Sequence, residues 1–174
     1  MPIDEIIERI QYLSGELALS QTELGNAYFN GYQGVDVNHS TAVKWWRRGA
    51  ELGNAEAAFQ LGLSYYYGSG IRVDKGKAAY WFRQSSDRGN ISAHYRLATM
   101  YYAGISVPKN IRTAFRLYMK AAKGGHPDAQ CIIGCFYKDG YIVEKSIIEA
   151  ITWWRKAVNG NSRDAVDLLT KEGF

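Results

Sequence analysis

The chain has 174 residues, 47% of them hydrophobic, enough to bury about 70% of its unfolded surface as one soluble domain. Its net charge of +4 and isoelectric point near 9.0 raise a nucleic-acid reading that only the placement of the cations can weigh. Asp4, Glu5, Glu8 and Arg9 interrupt the apolar residues at the N-terminus, which excludes a signal peptide or a membrane span there and makes the cytoplasm the expected location.

In chain order, Ile3, Ile6, Ile7, Ile10 and Leu13 stand at helical spacing and predict a capping helix over 1–15. A first helix pair follows over 16–54: Leu24, Gly25, Tyr28 and Gly31 mark its helix A, and Ala42, Trp45, Trp46 and Gly53 its helix B. The same skeleton returns over 55–90 as Ala57, Leu61, Gly62, Tyr65, Gly68, then Ala78, Trp81, Phe82, Gly89. Over 91–126 it reads Ala93, Leu97, Ala98, Tyr101, Gly104, then Ala114, Leu117, Tyr118, Gly125. Over 127–161 it reads Ala129, Ile133, Gly134, Tyr137, Gly140, then Ala150, Trp153, Trp154, Asn161. Ala165 and Leu169 open one more helix A over 162–174. The heading residues Leu24, Leu61, Leu97 and Ile133 lie 37, 36 and 36 residues apart, a period that marks a solenoid of helix pairs.

Each column has a physical reason. Spacing of i, i+1, i+4 sets the heading residue and the tyrosine on one helix face, and the small residue between them lets the paired helix come close. The two glycine columns fall where helix ends turn into left-handed backbone, and Asn161 replaces glycine as the other residue that tolerates that region. Gly160 beside it leaves room for the cap to slip by one. The alanine that opens each helix A is small enough to pack under the preceding aromatic pair.

The run Leu61, Gly62, Tyr65, Gly68, Gly70, Ile71, Asp74, Lys77, Ala78, Trp81 resembles the Sel-one-like repeat (SLR) family, a branch of the tetratricopeptide-like superfamily. The resemblance extends from about residue 20 to 169. The third copy departs from it in carrying Ser106 for the second loop glycine and Leu117 for the tryptophan. What it implies is all-α: a right-handed α-solenoid of antiparallel helix pairs, about four repeats with terminal half-repeat caps, used as an adaptor or scaffold that binds another protein or peptide. Some bacterial members neutralise toxins, so an immunity protein is the alternative. In this superfamily helix A lines the concave groove, which by resemblance assigns the groove to Thr22, Asn26 and Phe29; Phe59, Leu63 and Tyr66; Tyr95, Thr99 and Tyr102; and Cys131, Cys135 and Lys138. Phe59, Tyr66, Tyr95 and Tyr102 are the expected anchors, because rigid aromatics give contact area at low entropic cost. The same strip read blandly is core.

Candidate chemistry is sparse. His39, His94 and His126 fall in separate copies with no metal-ligand spacing to a cysteine or carboxylate, so neither a metal nor a cofactor is expected. Gly68, Ser69 and Gly70 follow a helix instead of a strand and lack a Lys-Ser/Thr ending, so they read as a cap turn and not as a phosphate loop. Ser64 and Ser85 have no recognisable triad partners, and the reading is of a non-enzyme with no small-molecule substrate. Secreted cysteine-rich members of the resembled family have been linked to β-lactam hydrolysis, but their regular cysteine pairs are missing here. Cys131 and Cys135, one helical turn apart, read as buried or groove-lining thiols. Arg47, Arg83 and Arg155, with Arg48, Lys120 and Lys156 beside them, form a basic stripe on helix B that Glu51, Asp87 and Glu149 dilute, which makes nucleic-acid binding the lesser reading.

Overall fold

The computed structural model describes residues 3–31 and 34–174, with side chains from residue 12 onward. Among the described residues there are nine helices and no strand: α1 (Ile3–Asn30), α2 (His39–Glu51), α3 (Ala55–Tyr67), α4 (Lys75–Asp87), α5 (Ile91–Ala103), α6 (Ile111–Lys123), α7 (Pro127–Asp139), α8 (Ile147–Asn159) and α9 (Arg163–Lys171). They fall into two compact units, Met1–Asn90 and Ile91–Phe174, divided at the end of the second repeat. In the first unit α1 pairs with α2 and α3 with α4, with α2 packed against α3. In the second, α5 pairs with α6 and α7 with α8, with α6 against α7 and α8 against α9.

The period is set by caps as much as by apolar residues. Asn38, Asp74, Asn110 and Ser146 start the B helices, each side chain accepting from the backbone N–H three residues on, at 2.9, 2.9, 2.9 and 3.2 Å. Their own backbone N–H groups donate to the carbonyls of Tyr28, Tyr65, Tyr101 and Tyr137, which pins each loop to the helix before it. The A helices start in the same way at Asn54, His126 and Ser162. Asn161 takes the left-handed backbone (φ 64°) while Gly160 keeps φ −90°, so the fourth cap has not slipped.

The core repeats one socket. A Cβ built on Gly25 would lie 2.3 Å from Trp46, one on Gly62 2.6 Å from Phe82, and one on Gly134 2.3 Å from Trp154, so no side chain fits there beside the indole or phenyl ring. The third repeat holds Tyr118 in the ring position, and there Ala98 fills the small-residue position in the same core cluster. Trp46, Phe82, Tyr118 and Trp154 are all buried.

The first repeat differs from expectation. No break separates a capping helix over 1–15 from helix A; α1 runs through both as one helix of 28 residues. The packing of Ile3, Ile6, Ile7 and Ile10 lies outside the described side chains. Among the described residues no separate helix B precedes Leu24, which is 39% exposed, where Leu61 in the same column is 0% exposed, with α2 packed against its helix.

Candidate partner-binding surface

In the first unit most of the expected groove residues turn out to hold the helix pairs together. Thr22 is 3% exposed, its hydroxyl donating to the Ala18 carbonyl at 2.7 Å, so it offers a partner no surface. Asn26 accepts the indole N–H of Trp46 at 3.0 Å. Phe29 stacks on His39 at 4.5 Å and lies 5.2 Å from Trp46. Phe59 packs at 5.8 Å against Phe82, and Leu63 is half-buried. Tyr66 carries the ammonium of Lys75 at 3.2 Å from its ring centre, and the same ammonium donates to the Tyr66 carbonyl at 2.8 Å. That lysine covers one face of an expected anchor.

The second unit divides differently. Tyr95 stacks on His126 at 4.3 Å and lies 5.8 Å from Tyr118; burial, then Asp128, pushes its hydroxyl above the usual range. His126 caps α7, and burial lowers its pKa. Thr99 donates to the Tyr95 carbonyl at 3.0 Å and accepts the Tyr118 hydroxyl at 3.2 Å, while burial pushes Tyr118 up to about 12. Lys138 is engaged by Glu172: their hydrogen-bonded ion pair raises the lysine and lowers the carboxyl. Cys131 is buried, and its thiol donates to Cys135, so Cys135 is the one of the pair that ionises first. The Trp154 indole N–H, beside Cys135, donates to the Cys131 carbonyl at 3.1 Å.

These contacts explain why position i+2 from the heading residue misleads. Asn26 and Thr99 are each matched to the aromatic side chain of their own helix B, supplying the polar partner that a buried Trp or Tyr needs, while Cys135 lies beside Trp154, whose indole is satisfied by the Cys131 carbonyl. Leu63 stands at the same position in the repeat whose ring is Phe82 and needs none.

Tyr102 is the expected anchor that stands free, 48% exposed and edge-on to Phe136 at 6.3 Å. It lines an open cleft of about 580 Å³ together with Ile111, Tyr118, Ile132, Cys135, Phe136 and Tyr141, with Lys109 and Asp139 as its charged members. Tyr141, 66% exposed, belongs to no helical column and was not among the expected site residues; its place directly after the loop glycine Gly140 is the one signal in the sequence.

The basic stripe is partly absorbed by its own tryptophans. Arg48 lies 4.9 Å from the Trp45 ring and Lys156 4.4 Å from Trp153, so these cations cover aromatic faces as well as meeting solvent. Among the described residues no group of three or more His, Cys, Asp and Glu could hold a metal ion, and no helix is long and apolar enough to cross a membrane.

The helix pairs, the sockets and the period define an α-solenoid repeat protein. The chain belongs to the Sel1 repeat family, whose repeat matches residues 18–54, 55–90, 91–126 and 127–162. A Sel1 repeat protein from Oxalobacter formigenes is similar at 30% identity and TM-score 0.80, covering 87% of this chain and 60% of that one. A protective antigen present in uropathogenic Escherichia coli strains, displaying an SLR fold, is similar at 30% identity and TM-score 0.78, covering 85% of this chain and 32% of its own. The chain thus spans less than two thirds of the length of either. Helicobacter pylori cysteine rich protein B shares the fold at 24% identity and TM-score 0.60, over 76% of this chain and 96% of its own. No curated protein matches the sequence. Sel1 repeats generally act as scaffolds for protein–protein interaction.

Proposed function

We propose that this chain is a non-catalytic interaction module that captures a partner protein or peptide on helix A surfaces, with the cleft beside Tyr102 as its main contact. One observation carries the reading: Tyr102 and Tyr141 stand exposed over an aromatic concavity, and neither is needed to close a socket between helices. Exposed tyrosines on a rigid scaffold lose little entropy when covered, and a side chain inserted between them would be desolvated against Phe136. Phe59, Tyr66 and Tyr95 contribute as the walls that hold helix A in place.

Affinity capture with the native chain and with Tyr102→Ala/Tyr141→Ala tests this. The partner should be lost from the double variant while its circular dichroism stays that of the native chain. Retention of the partner would remove the cleft from the reading. If the captured partner proves to be a toxin that the chain neutralises, the module is an immunity protein.

A further inference from the structure

A second open cleft, of about 530 Å³, lies in the first unit and has a different chemistry. Arg47 from α2, Arg72 from the loop between α3 and α4, and Lys77 from the first turn of α4 all line it, with Asp74 the one carboxylate among its lining residues. Two of the cations gather on a single buried tyrosine: Arg47 donates to the Tyr65 hydroxyl at 3.0 Å, and the Lys77 ammonium lies 5.5 Å from the Tyr65 ring centre. Asp74 is already committed, since one oxygen caps α4 through the Lys77 backbone N–H at 2.9 Å and the other faces the Lys77 ammonium at 3.7 Å. Like charges drawn into one concavity repel, and an anion seated between them relieves that repulsion.

The repeat supplies an internal control. The positions of Arg47, Arg72 and Lys77 are held by Arg83, Pro108 and Thr113 one repeat later, and by Met119, Glu144 and Glu149 two repeats later. Stability of the helix pair therefore does not require cations there, and one repeat alone concentrates them. Guanidinium groups at such a site favour planar carboxylates, which they bind with two parallel hydrogen bonds.

We propose that this cleft docks an acidic peptide segment of a partner protein, with Arg47, Arg72 and Lys77 as the recognising cations and Tyr65 as the post that holds two of them. It is built from first-unit residues alone and stands whether or not the Tyr102 cleft captures a partner.

The test is fluorescence anisotropy of a labelled oligoglutamate peptide of about eight residues, titrated with the full chain at about 50 mM and about 300 mM salt. The peptide should bind, weaken at the higher salt, and bind about tenfold or more weakly to Arg72→Glu/Lys77→Glu. The neutral pair Arg72→Gln/Lys77→Gln should show the same direction of loss, and it covers the case in which the acidic pair unfolds α4. Arg155→Glu/Lys156→Glu, which changes the net charge equally but lies on α8, should keep native affinity. The proposal is overturned if the peptide does not bind, or if the α8 variant loses as much affinity as the cleft variants. It is also overturned if inorganic phosphate or a single-stranded oligonucleotide binds the cleft more tightly than the peptide does.

Discussion

The second and third repeats are built to one plan with different parts, and the differences are compensated in pairs. Gly62, Phe82 and Leu63 of the second become Ala98, Tyr118 and Thr99 in the third: a methyl group shares the core with the ring where the second repeat has none, and the phenolic hydroxyl is met by its own acceptor. Their loops differ too. Gly70 has φ 72°, and a Cβ there would stand 2.3 Å from the backbone of His39, whereas Ser106 carries a side chain at φ 54° in the corresponding place. The lesson is that the repeat conserves a geometry, and residue types follow from what each socket and loop must accommodate.

The largest expected effect is at Gly70. Serine there would face both the left-handed backbone and a collision with His39 that no rotamer avoids, and should cost about 3 kcal/mol in urea unfolding. Gly62→Ala should cost about 2 kcal/mol, because Phe82 must leave its position to admit the methyl group that the third repeat accepts as Ala98. Tyr118→Phe leaves the Thr99 hydroxyl with one partner fewer and should cost about 1 kcal/mol, with much of that recovered by adding Thr99→Val. Ser106→Gly is the smallest: relief of the left-handed serine outweighs the added freedom of the unfolded chain and should stabilise by about 0.5 kcal/mol. If Gly62→Ala and Ala98→Gly proved equally mild, the matching of socket to ring would be wrong.

The fold was legible because its signals recur. Head, small residue, tyrosine and glycine return four times, and chance coincidence in one copy is corrected by the other three. A further signal recurs with the same period: Asn38, Asp74, Asn110 and Ser146 lie 36 residues apart and cap the B helices α2, α4, α6 and α8, but their differing residue types make no single column. The first helix was harder. Ile3 to Leu13 have helical spacing, but spacing alone does not tell a helix that folds back from one that runs on into α1.

The site was legible only in part, and for a definite reason. α3 and α7, the A helices of the second and fourth repeats, each pack against their own helix B as well as the one before it, so more of their circumference is occupied than the heading column suggests. Asn26 and Thr99 look like polar groove residues in the sequence and act as hydrogen-bond partners for Trp46 and Tyr118. Tyr102 survives as a surface residue, while Tyr141 lies at a position that no column marks, and Arg47, which the sequence places in a helix B stripe, meets Arg72 and Lys77 only in the folded cleft.

The most direct test is titration calorimetry of the captured partner against two variants whose folding is monitored in parallel: Tyr102→Ala/Tyr141→Ala, which alters only exposed rings, and Gly62→Ala, which alters only a socket of the first unit. The first variant should lose at least about tenfold in affinity with unfolding free energy unchanged, and the second should bind as the native chain does. Native affinity in the first variant, with binding lost in the second, would contradict the division between residues that pack and residues that bind.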